Sequence, residues 1–377
     1  MNGINRVSPS LGKFSENPAE SWTLPGMYYY DNRIFTEELE RIFYRTWQYA
    51  CHVSRLKNSG DYYVRDIGDQ SILVLRDDHG EIQAYHNVCQ HRAHRLLEGH
   101  GKTGKLITCP YHSWCYRLNG KLQFARGSEG VQDFPADEIH LQAVRTDSIC
   151  GFVFINLDLE AKPMSEEFPG LEEDILGLAP NAENLVLAHS HDYKLAANWK
   201  NSVENYSECY HCPNRHPSLV NGALDITQYR IKTRNGYQRH VTTDVGDNQM
   251  YAMSSSPGQS TGNFGSWLVW PSMVFEVYPG GNLTTFNHVP LEPEKTLQET
   301  EWYFTGSTPS KKEKEVIDFV QTVREEDIPI CESVQRGLHS RGYKQGRFVV
   351  DRDRTYVSEH AVHDFQLRVI KALNKPL

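Results

Sequence analysis

Four residues in two short segments stand out by type and spacing. They are Cys89-x-His91 and, after 17 intervening residues, Cys109-x2-His112, in the contexts CQHRAH and CPYHSW. Each segment offers one thiol and one imidazole. A Cys2His2 zinc site is the simplest alternative, but zinc fingers pair cysteine with cysteine and histidine with histidine, and seat the histidines on a helix. A [2Fe–2S] centre with two cysteines on one iron and two histidines on the other needs the mixed arrangement found here. Histidine ligation raises the potential of such a cluster and makes it a ready electron acceptor. His94 and His100 lie outside the spacing and are expected at the surface or in supporting positions. Cys115 is expected in the core.

A second group lies in the segment from Asn198 to Pro217, NWKNSVENYSECYHCPNRHP, where His211 and His216 sit five apart with Glu204 and Glu208 upstream. Two neutral imidazoles and one carboxylate make the facial triad of non-haem Fe(II) oxygenases, which leaves positions open for O2 and substrate. On an ideal helix a five-residue step turns about 140° away from the starting face. Both rings meet one ion only if the helix ends or bulges, as Pro213 and Pro217 would make it do. By itself H-x4-H equally describes two exposed histidines near a helix end. The acidic partners on offer are Glu325, Glu326, Asp327 and Glu332 in REEDIPICESVQRGL, and spacing does not choose among them. Cys209-x2-Cys212 has neither a second C-x-x-C nor a thioredoxin-like context, so both residues are expected to be packing or supporting groups.

The elements that must position these residues change in texture along the chain. The first 20 residues are polar, with two prolines, and read as an arm ordered on contact. Phe35 to Trp47 carries apolar residues at helical spacing, with Thr36 as N-cap. From Asp61 to Phe154 short β-branched and aromatic runs are broken by turns at Asp78-His79-Gly80 and Asn119-Gly120, predicting a small antiparallel β domain. Beyond residue 160 the pattern is mixed. FPGLEEDILGL and the 198–217 segment read as helical, a Gly/Ser/Thr-rich loop follows from Asp244 to Gly265, and strands come next. Two long helical stretches close the chain, SKKEKEVIDFVQTVREEDIPICESVQRGL and SEHAVHDFQLRVIKALN. The fold class expected is α+β.

With these residues in view, C-x-H-R-x-H and C-P-Y-H-x-W resemble the two ligand loops of a Rieske domain. Residues 36–365 as a whole resemble the catalytic α subunit of Rieske non-haem iron oxygenases. The resemblance implies an N-terminal helical segment (1–45), a Rieske domain (46–158) and a helix-grip catalytic domain (159–377), with an antiparallel sheet and long C-terminal helices. It implies Cys89, His91, Cys109 and His112 as cluster ligands and selects Asp327, beside ESVQRGL, as the third iron ligand with His211 and His216. It makes Glu208 the acidic bridge to a Rieske histidine of the neighbouring subunit, hence an oligomer, a homotrimer. Ring-attacking relatives mostly carry Asp there, so Glu points to the monooxygenase branch. Electrons would come from NAD(P)H through a separate flavin or iron–sulfur reductase, and O2 would be the oxidant.

Within that family NWKNSVENYSECYHC, ESVQRGLHSRGY, QGR and SEHAVHDF are most similar to the oxygenases of quaternary ammonium compounds (carnitine, glycine betaine, stachydrine, choline). The resemblance therefore implies oxidative N-demethylation; an aromatic ring-hydroxylating dioxygenase is the alternative. A trimethylammonium group is held by aromatic faces. Tyr251, Phe264, Trp267, Trp270, Phe275, Tyr278 and Phe286 are the candidates, of which two or three are expected to line the pocket. No arginine or histidine is nominated for a substrate carboxylate.

Composition bounds these readings. With 377 residues, 39 Lys+Arg and 48 Asp+Glu, the net charge of −9 argues against nucleic-acid or anionic-membrane partners. No apolar run is long enough for a membrane span, and Met1–Arg6 does not read as a secretory signal. Eight cysteines without such a signal suggest a reducing cytoplasm, where the six not assigned to metal would be free thiols.

Overall fold

The computed structural model describes residues 9–252, 262–280 and 282–375. The Met1–Arg6 segment and residues 253–261 of the expected 244–265 loop lie outside the described residues. The chain divides into two compact units. Phe43–Glu166 form one; the described parts of Met1–Ile42 and Glu167–Leu377 form the other.

The first unit is all antiparallel β. Its strands are β1 (Gln48–His52), β2 (Asp61–Ile67), β3 (Gln70–Arg76), β4 (Ile82–His86), β5 (His100–Lys102), β6 (Leu106–Thr108), β7 (Cys115–Arg117), β8 (Leu122–Phe124), β9 (Ala143–Ile149) and β10 (Phe152–Asn156). Seven of them form a sheet in the order β1-β10-β9-β4-β3-β2-β5, and β6-β7-β8 form a second. Both expected hairpins form. At Asp78–Gly80 the Asp77 carboxylate accepts from the His79 and Glu81 amides at 2.9 Å. In the other hairpin Gly120 has φ +83, and a Cβ there would meet the Tyr85 ring at 2.7 Å, so only glycine fits. Leu73, Leu75, Tyr85, Ile107, Tyr116 and Leu118 make a core that also includes Cys89 and Cys109. Cys115 opens β7 half-buried, its Sγ 3.4 Å from Thr108 Oγ1, rather than sitting in the core. The chain leaves the unit through α2 (Met164–Glu167).

The second unit is α+β. Strands β11 (Val186–Leu195), β12 (Arg230–Thr233), β13 (Tyr237–Thr243), β14 (Asn263–Val269), β15 (Met273–Tyr278), β16 (Asn282–Glu292) and β17 (Lys295–Phe304) form one antiparallel sheet, ordered β11-β17-β16-β15-β14-β13-β12. Its helices are α1 (Asn32–Glu38), α3 (Leu171–Leu176), α4 (Trp199–Tyr206), α5 (Cys212–Arg215), α6 (Pro217–Gly222), α7 (Lys311–Leu338) and α8 (His360–Asn374). α4 packs on α7 and β16, and α8 on β12. Leu24, Tyr28, Tyr29 and Ile34 from the N-terminal segment share a core with Leu338 and Ile370. α1 starts earlier than its apolar spacing predicts. Asp31 caps it by accepting from the Arg33 amide at 2.8 Å, whereas the Thr36 hydroxyl donates one turn back to the Asn32 carbonyl. The Glu38 carboxylate, fully buried, takes the Lys200 ammonium at 2.6 Å and the Trp199 indole N–H at 2.8 Å, tying α1 to α4. Among the described residues no helix is long and apolar enough to cross a membrane.

Candidate metal centres and the cleft beside one of them

The two Cys/His segments form loops of the same design. The Cys89 amide donates to the His94 carbonyl (2.9 Å) and its carbonyl accepts from the Ala93 amide (3.0 Å). Likewise the Cys109 amide donates to the Trp114 carbonyl (2.8 Å) and its carbonyl accepts from the Ser113 amide (3.0 Å). In each loop the residue four past the cysteine adopts positive φ, 56° at Ala93 and 60° at Ser113, which turns the chain back over the thiol. The cysteines belong to the core below while the imidazoles stand above it. Cys89 and Cys109 are 3% and 2% exposed, His91 is exposed and His112 half-buried. The two rings lie 4.7 Å apart between centroids; His91 stacks on Trp114, and His112 lies tilted against Tyr111 at 3.7 Å. The Tyr116 hydroxyl sits 3.3 Å from Cys89 Sγ. Burial pushes the Cys89 thiol above its ordinary pKa, so a thiolate there needs a cation to stabilise it. Two buried sulfurs beneath two outward imidazoles are the donor set a His2Cys2 [2Fe–2S] cluster requires. His94 is exposed, its Nδ1 2.5 Å from the Arg95 carbonyl, and His100 lies on the exposed strand β5; neither joins the set.

The second site depends on a broken helix. The 198–217 segment, which reads as one helical stretch, splits into α4, α5 and α6, with Pro213 and Pro217 each at the start of a new helical turn. Glu208 consequently lies in the connection and not on a helix. His211 and His216 flank α5, and their rings converge, Nε2 to Nε2 at 3.1 Å. Asp327 of α7 reaches the same point, its Oδ1 3.4 Å from His211 Nε2 and 2.9 Å from His216 Nε2.

The hydrogen bonds behind the rings make Nδ1 the donor of each. His211 Nδ1 donates to Glu208 Oε1 at 2.6 Å, and His216 Nδ1 donates to Glu326 Oε2 at 2.7 Å, since carboxylate oxygens accept. Held this way, both rings turn Nε2 towards Asp327 Oδ1, a cluster that either a proton on Nε2 or a metal cation would reconcile. Bonds of ~2.1 Å at right angles place neighbouring donors about 3 Å apart, so a facial triad fits the observed spacing. Among the described residues these three are the set able to hold an ion. Burial opposes charging His211, but the Asp327 and Glu208 carboxylates prevail and lift its pKa to about 10. Burial likewise resists the Asp327 charge, yet His211, His216 and Arg324 draw its pKa well below the carboxylate range. The site therefore gathers positive charge strongly.

Of the other acidic candidates, Glu325 is exposed and Glu332 accepts the Ala196 amide at 3.0 Å. Glu326 orients His216 and does not join the triad. Cys209 and Cys212 are joined by a disulfide, correcting the expectation of two free thiols. The turn between α4 and α5 brings their Cα atoms to 4.9 Å, inside the roughly 4.4–6.8 Å that a bridge spans.

A cleft opens beside the triad. Of the nominated aromatics Phe264 and Tyr278 line it, joined by Tyr206 and Tyr229, which strand patterning did not single out. Trp267, Phe275 and Phe286 are fully buried in the core, Tyr251 packs on Phe319, and Trp270 packs on Phe365. Arg324 and Glu276 also line the cleft and were missed. Arg324 precedes Asp327 by three residues and so shares its helix face. Glu276 is a charge inside the otherwise apolar strand MVFEVY.

Known proteins place this architecture. The Rieske [2Fe–2S] domain family model matches residues 46–135, and that of the ring hydroxylating alpha subunit (catalytic domain) matches residues 182–375. The chain is 37% identical over 368 residues to the carnitine monooxygenase oxygenase subunit of Escherichia coli (strain K12), covering 96% of this chain and 97% of that one. It is 30% identical to the chloroplastic choline monooxygenase of Spinacia oleracea, over 88% of this chain and 75% of that one. The crystal structure of the quaternary ammonium Rieske monooxygenase CntA in complex with L-carnitine superposes with a TM-score of 0.86, at 34% identity over 96% of this chain and 98% of that one. Naphthalene 1,2-dioxygenase from Rhodococcus sp., 20% identical, shares the fold with a TM-score of 0.80 over 94% of this chain and 95% of that one.

Proposed function

The chain belongs to the ring-hydroxylating α-subunit family of Rieske oxygenases, and on that premise we propose that it N-demethylates a quaternary ammonium or betaine compound as the terminal oxygenase of a monooxygenase. The enzyme is a Rieske non-haem iron oxygenase with a [2Fe–2S] cluster and a mononuclear iron, supplied with electrons by a reductase. Bound there, the two metal groups supply electron storage and O2 activation. In this reading the 46–158 domain holds the cluster through Cys89, His91, Cys109 and His112. The 159–377 domain holds iron through His211, His216 and Asp327, and the 1–45 segment packs on it. The observation that carries the reading is the meeting of the two Nε2 atoms with Asp327 Oδ1.

Glu208 has two tasks in this scheme. One oxygen fixes the His211 tautomer; the carboxylate also bridges to a cluster histidine of a neighbouring subunit in a homotrimer. The exposure of His91 at the tip of its loop suits that arrangement, as does the inter-subunit electron transfer described for a structural relative 33% identical to this chain. The substrate assignment follows the carnitine and choline monooxygenases to which the chain is similar. Four aromatic rings around the cleft supply faces for an ammonium that neither donates nor accepts hydrogen bonds. Hydroxylating an N-methyl carbon gives a hemiaminal that releases formaldehyde.

The test is reconstitution with a reductase and NAD(P)H against choline, carnitine, γ-butyrobetaine, glycine betaine and stachydrine. O2 uptake matched by formaldehyde is expected from at least one. A phenol or cis-diol from aromatic acids, with no formaldehyde from any betaine, would overturn the reading in favour of ring hydroxylation.

A further inference from the structure

Every residue of β15 is buried, and its fourth, Glu276, is 2% exposed. A carboxylate in such a strand is costly unless it is paired or serves a ligand. Its partners leave it incompletely paired. Oε1 accepts the Tyr206 hydroxyl at 2.7 Å and faces Arg324 Nη2 at 3.4 Å, longer than the roughly 2.7–2.9 Å of a charge-assisted hydrogen bond. Oε2 has no hydrogen-bond partner among the described residues. Arg324 divides its charge between two acids, since the guanidinium that pairs with Glu276 also lies 3.8 Å from Asp327 Oδ2 and 4.1 Å over the Phe286 ring.

The cleft wall thus carries three carboxylates, Glu208, Glu276 and Asp327, against one guanidinium. Two of the three serve the histidines and the iron. The third, Glu276, meets Arg324 and Tyr206 through Oε1 alone, and Oε2 is left without a hydrogen-bond partner among the described residues, beside Tyr278 and Phe264, whose rings meet edge to face at 5.2 Å. Tyr229 stacks on Phe264 at 6.4 Å. A trimethylammonium head asks for negative potential and aromatic faces but offers no N–H to satisfy a directional acceptor. An incompletely paired carboxylate framed by rings supplies both.

Resting on the proposed function, we propose that Glu276 determines specificity by binding the cationic head of the substrate among Tyr206, Tyr229, Phe264 and Tyr278. Arg324 is a positioning residue. It holds Glu276 Oε1 on one side and Asp327 Oδ2 on the other, which fixes the cation site relative to the iron.

The test compares choline with 3,3-dimethylbutan-1-ol, in which carbon replaces the ammonium nitrogen at the same shape. Binding is measured calorimetrically on the metal-loaded enzyme without O2. The wild type is expected to prefer choline by about tenfold or more, and Glu276→Gln to bring the ratio close to one by weakening choline alone. Glu276→Asp, which restores the charge, should recover part of the preference. If Glu276→Gln does not fold because Arg324 is left unpaired, the double variant Glu276→Gln/Arg324→Gln carries the same readout. An unchanged ratio in the variant overturns the inference, as does a wild type that binds neither probe while demethylating another betaine. Loss of the functional reading looks different: no quaternary ammonium compound gives formaldehyde at all.

Discussion

At the iron site, Glu326 does for His216 what Glu208 does for His211. Each carboxylate accepts the Nδ1 proton, at 2.7 and 2.6 Å, and so turns Nε2 towards Asp327, where it would serve as the metal donor of the proposed site. Such outer partners typically contribute 10–100-fold to metal affinity. Glu326→Ala is therefore expected to weaken iron binding by about that factor, read as faster loss of iron to a chelator, while the visible absorption of the cluster is unchanged. Loss of the cluster signal in parallel would show a folding defect instead. The histidines that converge in the two sites were legible because each lies in a short local pattern, C-x-H, C-x2-H or H-x4-H. Glu326 was visible only as one of four acids, because its partner is 110 positions away. Long-range pairings of this kind leave no local spacing to read. Glu276 did leave a trace, a charge in an apolar strand, and that is the kind of exception worth following in other sequences.

Among the elements, α7 does most to position the iron site. It runs for 28 residues and delivers Arg324, Glu326 and Asp327 from a single turn. Its start is set by a capping box, the Ser310 hydroxyl accepting the Glu313 amide and the Glu313 carboxylate accepting the Ser310 amide. Ser310→Ala should lower stability by about 1 kcal/mol, measured by denaturant unfolding. Asp327 lies about 25 Å along the helix, at 1.5 Å per residue, so iron loading is expected to be unchanged. The two long C-terminal helices and the two hairpins followed directly from periodicity and turn residues. The continuity of α7 through Pro329 rests on packing, since that proline removes one backbone donor to the carbonyl four residues back. The start of α1 was misplaced because Asp31 competes with Thr36 for the capping role, and only the backbone shows which side chain meets a free amide. The Cys209–Cys212 bridge was missed for a similar reason. Its geometry comes from the helix break between α4 and α5, not from the spacing.

Across the molecule, acid sensitivity should come from histidines that serve no metal. Burial depresses the pKa of His240 to about 3, with the nearby His360 charge adding to the effect, and burial depresses His360 to about 4. His288, whose Nδ1 is 2.8 Å from the Ser202 hydroxyl, is held at about 3, first by burial and then by Arg324, with Asp327 opposing. An unfolded chain would protonate all three near pH 6.5. The stability they permit is present above that value and is lost as pH falls from about 6.5 towards 4, because the unfolded state takes up protons that the fold cannot. Glu204 works the other way. Burial raises it to about 7, against the Tyr29 and Gln366 hydrogen bonds and the Lys200 charge, so the folded state keeps a proton there that the unfolded chain releases down to about pH 4.5. Glu38, Glu276 and Glu359, which burial also raises, act in the same direction as Glu204, so the histidine contribution is read from a variant and not from the wild-type slope. Trp199, Trp267 and Trp302 are fully buried in the same unit and report its unfolding by fluorescence. His240→Asn is expected to make stability, from urea unfolding, fall less between pH 7 and pH 5 than in the wild type, by at most one proton, about 1.4 kcal/mol per pH unit, reached at the acid end of that range. Comparing wild type with variant cancels any contribution from His211 and His216, which both proteins share. An identical slope in the two would show that His240 stays neutral in the unfolded chain or charges within the fold, and either result would remove buried histidine as the source of acid lability.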